Sequence, residues 1–159
     1  MDIHRHPAHS TRTLVWRRLD EPGMEVAHVR SLDEATGVQI GRSYELRWWL
    51  RNGQLDLELN GVPRSTVRVG DGDFFDLFAS PFFNSLPVLR DGLLESGRTR
   101  DYRMTFVHVP ELTVEASLQR YEPIGPRVVR YSSGDFRSDI TFDSDGFVTH
   151  YDGFLERVT

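Results

Sequence analysis

The chain of 159 residues contains no cysteine. That removes disulfide staples, thiolate chemistry and cysteine-ligated metal from the functions open to it. It also contains no lysine: all 19 basic residues are arginine. Codon bias in a GC-rich genome explains this, and the sharper alternative, a preference for bidentate anion contacts, lacks the arginine cluster it would need. No stretch gathers positive charge and the net charge is −5, so a surface that tracks nucleic-acid phosphates is not expected. No run approaches the ~20 apolar residues of a membrane span. The opening MDIHRHPAHSTRT has no apolar stretch of a secretory leader. The chain is therefore expected in the cytoplasm, with residues 1–12 as a disordered tail and 13–159 as one domain. His4, His6 and His9 could touch a metal, but a short polar terminus is not a built site, and no cofactor is expected. At this length folding buries roughly 70% of the unfolded surface, enough for a core without staples.

What is present is alternation. Tyr44, Leu46, Trp48 and Leu50 point one way, and Glu45, Arg47 and Arg51 the other. Leu55, Leu57 and Leu59 alternate with Gln54, Asp56 and Glu58, and Asn52-Gly53 lies between the two runs. This predicts an antiparallel hairpin over 44–59 with one wet face. Tyr102, Met104, Phe106 and His108 form a further alternating run. Leu112, Val114, Ala116 and Leu118 form another, in which Tyr121 breaks parity, predicting a bulge or bend near Gln119-Arg120. Phe136, Ile140 and Phe142 share a face before the tight turn Asp143-Ser144-Asp145-Gly146. Shorter strands are expected over 14–19, 25–30, 66–69 and 128–131.

One stretch breaks the pattern: FFDLFASPFFNSLPVLRDGLL, residues 74–94. Ser80 suits an N-cap and Pro81 a first helical position. Phe82, Leu86, Leu89 and Leu93 recur at helical spacing. Pro87 removes a hydrogen bond, so the helix is expected to begin after it or to kink there. The expected fold is mainly β (α+β), a long antiparallel sheet rolled around a single central helix that fills it.

Several residues carry a family resemblance: Trp16, Gly23, Glu25, the string Ser80-Pro81-Phe82-Phe83-Asn84-Ser85-Leu86-Pro87-Val88-Leu89-Arg90, Gln119-Arg120-Tyr121, Phe136, and Gly146-Phe147-Val148 with Tyr151. Over about residues 14–158 the chain resembles a bacterial family named for a proposed glycolipid-binding role. Phe83, Ser85 and Leu89 depart from that family's central pattern by loss of threonines and an arginine, whereas Asn84, Pro87 and Arg90 match it. The resemblance implies a spiral β-roll around one helix and an amphipathic ligand.

A ligand slot is expected beside the central segment, lined by Trp48, Phe82, Phe83, Phe106 and Tyr121. At ~0.8 kcal/mol per buried methylene, about ten methylenes supply roughly 8 kcal/mol before the costs of association, which permits micromolar binding at best. Asn84, Pro87 and Arg90, with Gln119, Tyr121 and Tyr151, are the candidates for orienting a head group at its mouth. Each has a plainer reading. The phenylalanines suit a packed core, Asn84 a turn around Pro87, Arg90 a surface ion pair and Gln119–Tyr121 a bend. Asp143-Ser144-Asp145-Gly146 lacks the closing glutamate of a calcium loop and reads as a turn. The leading expectation is a non-catalytic binding protein for a glycolipid or similar molecule. A solid roll that pairs with other proteins or with itself through a strand edge, and a hydrolase using His108 or His150, are the alternatives.

Overall fold

The computed structural model describes residues 11–159. The three N-terminal histidines and residues 1–10 of the expected tail lie outside the described residues. The first meander comprises β1 (Arg12–Arg18), β2 (Met24–Ser31), β3 (Glu34–Ile40), β4 (Glu45–Arg51), β5 (Gln54–Leu59) and β6 (Val62–Arg68). A short strand, β7 (Phe74–Leu77), leads into α1 (Pro81–Arg90) and the single turn α2 (Leu93–Ser96). The second meander comprises β8 (Arg100–Val107), β9 (Val114–Gly125), β10 (Val128–Ser133), β11 (Phe136–Phe142), β12 (Val148–Tyr151) and β13 (Leu155–Arg157). The first strand thus begins at Arg12, one residue inside the expected tail.

Among the described residues all thirteen strands belong to one sheet, in the order β6-β5-β4-β3-β2-β1-β13-β12-β11-β10-β9-β8-β7. Pairing of β1 with β13 joins the two meanders. Neighbours are antiparallel except β7 and β8, which are parallel because the chain crosses through the helices between them. Asn52 and Gly53 both take positive φ between β4 and β5, and the register Leu50↔Leu55 follows from that two-residue turn.

Both halves of the sheet close on α1. From β4, Trp48 stacks on Phe82 with ring centroids 5.6 Å apart and meets Phe83 edge-on at 5.0 Å. From the other half, the backbone N–H of Val148 donates to Ser85 Oγ at 3.3 Å. Burial divides into two clusters that share the helix. Phe82, Phe83 and Leu86 pack with Trp16, Leu46 and Trp48, whereas Val88 packs with Tyr121, Val129 and Ile140.

Three sequence expectations are corrected. The helix does not start after Pro87: residues 81–90 are one helix, and Pro81 to Val88 are all buried. That burial outweighs the one hydrogen bond Pro87 cannot make. Ser80 occupies the N-cap position without capping, because its hydroxyl is committed elsewhere. The expected bulge near Gln119 is absent. The β8–β9 register runs unbroken from Val107↔Val114 to Arg100↔Tyr121, and the irregularity falls between Val128 and Val129.

The consequence for β9 is an inverted reading. Ser117, Gln119 and Tyr121 face inward, whereas Val114 (47% exposed) and Leu118 (70%) face out. Strand β3 was not foreseen, since its inward positions are Ala35, Gly37 and Gln39, a set without apolar alternation. Gly37 lies under the Trp48 indole, where an added Cβ would come within 2.2 Å of the ring.

Candidate functional site

The inward polar parity of β9 opens a cleft of about 920 Å³ between the start of α1 and strands β7–β12. Its wall is aromatic: Phe78, Phe106, Tyr131, Tyr151 and Phe154 all line it. The tyrosines belong to a ladder of edge-on rings crossing the sheet. Tyr102 meets Tyr121 at 5.5 Å, Tyr121 meets Tyr131 at 5.5 Å, and Tyr131 meets Tyr151 at 6.2 Å. Burial raises the phenol pKa of Tyr121, Tyr131 and Tyr151, so all three stay neutral.

The inner end is polar. Asp76, on the short strand β7, lines the cleft yet is only 6% exposed. Its Oδ2 accepts from Gln119 Nε2 at 2.7 Å. Burial pushes the Asp76 carboxyl up to about 6, and the Gln119 hydrogen bond opposes that rise. Asn84, one turn into α1 and also lining the cleft, donates from Nδ2 to the Tyr121 hydroxyl at 3.1 Å. With its amide nitrogen turned to Asp76, Gln119 leaves Oε1 buried and without a partner among the described residues. Such an orphan is rare in folded proteins.

Behind this end, Glu25 ties the first meander to the helix. Its carboxylate accepts from Ser80 Oγ at 2.7 Å and from Trp48 Nε1 at 3.0 Å. Burial raises its pKa to about 7, against the pull of those two bonds and of Gln39. Trp16 Nε1 donates to Val148 O at 2.8 Å, linking β1 to β12 across the same core.

The outer end is wide and mixed. Leu118 and Phe136 line it while 70% and 51% exposed. Arg18 stands beside them with its guanidinium 4.5 Å from the Phe154 ring centroid and 5.5 Å from that of Phe78, and it is paired with Asp20 at 2.8 Å. His108 is bonded to Glu115. His150 sits 3.8 Å from Asp152.

Of the sequence candidates, Asn84, Phe106 and Tyr151 line this cleft. Gln119 and Tyr121 stand directly behind it, bonded to Asp76 and Asn84. The other five are elsewhere. Trp48, Phe82 and Phe83 interlock in the first core with no slot between them. Pro87 is buried inside α1, and Arg90 pairs on the surface with Asp33 at 2.8 Å. The expected slot therefore lies on the opposite flank of the helix from the phenylalanines. Sequence reasoning missed Asp76, although a lone carboxylate inside Phe74-Phe75-Asp76-Leu77-Phe78 was its signal. It also missed Tyr131, Phe154 and Arg18 as lining. The Asp143 turn is closed on itself: Arg12 and Arg157 reach the carboxylate at 2.9 and 2.7 Å, and the N–H groups of Asp145 and Phe147 donate to its other oxygen.

A crystal structure of a DUF1089 family protein from Pseudomonas aeruginosa superposes with a TM-score of 0.56 at 18% identity, covering 99% of each chain. At that identity the likeness concerns the fold. No curated protein matches the chain. The family model described as "Putative glycolipid-binding" matches residues 27–157, a stretch that takes in α1 and strands β7–β13. The chain belongs to that family.

Proposed function

We propose that the cleft binds a glycolipid or a similar amphipathic molecule and leaves it chemically unchanged. One observation carries this reading: a cleft of about 920 Å³ combines an aromatic wall with two nearly buried polar side chains, Asp76 and Asn84, at its inner end. That volume lies near the top of the range for small-molecule sites, and the combination suits a ligand that is apolar at one end and polar at the other. Sugars present C–H faces that pack on aromatic rings such as Tyr131 and Tyr151, and hydroxyls that bond amides and carboxylates. The family description points the same way.

The non-catalytic part rests on the partners of the cleft's serines. Ser80 donates to Glu25, Ser117 contacts Ser133, and Ser138 donates to the Asp152 carbonyl. Among the described residues none of them is bonded to a histidine, so none forms the serine–histidine pair of a hydrolase. Among the described residues, too, no helix is long and apolar enough to cross a membrane.

The test is organic extraction of the purified protein with mass spectrometry, alongside titration with alkyl glycosides. The expected result is a lipid carried in stoichiometric amount or a saturable glycoside site, with the glycoside recovered intact. Ser117→Trp, which fills the cleft, should abolish it. A protein that carries nothing and binds no amphiphile would end this reading.

A further inference from the structure

The polar atoms at the inner end of the cleft share one property. Asp76 accepts on Oδ2, while its Oδ1 receives no hydrogen bond from the described residues. Asn84 donates through Nδ2, and its Oδ1 likewise receives none. Gln119 must present its amide nitrogen to the Asp76 carboxylate, which leaves Oε1 as a third acceptor without a donor. Asp76 and Asn84 are each 6% exposed, and both line the cleft. Asp76 and Asn84, which line the cleft, each keep an oxygen to which no described residue donates, so this end is complementary to a ligand that brings donors.

Charge narrows the class. An anionic head group would meet the Asp76 carboxylate and the Asn84 amide oxygen at the inner end, and Asp20, Glu115 and Asp152 further out. Of the two arginines of the wall, Arg18 already holds Asp20, and Arg137 is exposed at the outer end, away from Asp76 and Asn84. An ammonium supplies donors but cannot accept from the neighbouring hydroxyls of Tyr131 and Tyr151, whereas a ligand hydroxyl does both. Direction follows from where apolar surface is left uncovered. The buried end is polar, and the exposed end carries Phe136, a large apolar side chain half in water.

We propose that the ligand enters head group first: an uncharged, hydroxyl-bearing head group, a sugar or polyol, bonds Asp76 and Asn84 at the inner end, and its hydrocarbon leaves past Phe136. This rests on the binding role proposed above and adds polarity and orientation to it. Gln119 touches no ligand in this arrangement; it is a positioning residue that holds the carboxylate.

The experiment titrates the full chain, followed by amide NMR, with n-octyl glucoside below its micelle concentration, n-octyl phosphate and n-octylammonium. The glucoside should bind at least about tenfold more tightly than either charged compound, the ratio set by one charge-assisted hydrogen bond. Asp76→Asn should weaken glucoside binding by about tenfold or more while raising the melting temperature above neutral pH, because it also removes a buried charge. A merely structural role would move both in the same direction. Should that variant fail to fold, Asn84→Ala supplies the same comparison of head groups. A glucoside carrying a nitroxide at the end of its chain should broaden the amide of Phe136 and spare that of Asn84. Equal or tighter binding of the phosphate or the ammonium, or broadening centred on Asn84, overturns the proposal while leaving an amphiphile site intact. Failure of all three octyl compounds to bind overturns the binding role itself.

Discussion

At the scale of single residues, the molecule is marked by two carboxylates kept out of water. Glu25 has its pKa raised from 4.5 to about 7 and Asp76 from 3.8 to about 6, in both cases by burial. A carboxyl whose folded pKa is raised binds its proton more tightly in the folded state. Its contribution is fully present below the unfolded pKa and is lost as pH rises through the folded value. Stability should therefore fall between about pH 4 and about pH 7, with Glu25 alone accounting for about 3 kcal/mol. Urea unfolding across that interval checks this, and Glu25→Gln should flatten the curve; an unchanged slope in the variant would refute the assignment. A second residue-scale expectation concerns Gly37. An added methyl there meets the indole of Trp48, which is itself pinned between Phe82, Phe83 and the Glu25 bond. Gly37→Ala should cost about 1–3 kcal/mol or more, measured by denaturant midpoint, because neither ring nor backbone can yield cheaply. By contrast Arg90→Ala, which breaks an exposed ion pair with Asp33, should change stability by less than about 1 kcal/mol.

At the scale of elements, β9 shows how a strand can be read in the right place with the wrong face. Its apolar residues alternate correctly, but they alternate outward, and the polar parity Ser117, Gln119 and Tyr121 faces the helix. Periodicity reports that two faces differ; it does not say which one is buried when a strand lines a polar cavity. Leu118→Asn should leave stability within about 0.5 kcal/mol, whereas Tyr121→Ala should cost about 3–5 kcal/mol by emptying a fully buried position. Reversal of that order in thermal melts would restore the apolar face as the inner one. The 44–59 hairpin was legible because Asn52-Gly53 and clean alternation agree, and a turn of that type admits one register. Helix α1 was legible in position but not in extent, since a local rule about Pro87 competes with burial that only the surrounding sheet supplies. Strand β3 was not legible, as its inward residues were selected to pass beneath Trp48 rather than to be apolar.

At the scale of the whole molecule, the mainly β architecture around one helix could be read from the sequence, because strand signals recur on both sides of one proline-bearing apolar segment. The site could be read only in part. Asn84, Phe106 and Tyr151 line the cleft, but the slot was expected beside Phe82 and Phe83, and which flank of a helix is packed solid is decided by partners more than thirty residues away. Trp48 comes from β4 and fills one flank; the tyrosine ladder comes from β8–β12 and leaves the other open. Continuity of the sheet depends on the three-residue strand β13, which bridges β12 and β1. Leu155, 1% exposed there, should cost about 2–5 kcal/mol when changed to Ala, read as a shifted unfolding midpoint.

The division of the interior into two clusters, one on each flank of α1, has a further dynamic consequence. Neighbourhoods that share a helix but few side chains can breathe separately, each with its own opening free energy. Occupancy of the cleft should therefore slow amide exchange across β8–β12 and leave β2–β5 exchanging at their former rates. The Trp48 half would act as a standing keel, and the tyrosine half as the part of the hull that flexes to take on cargo.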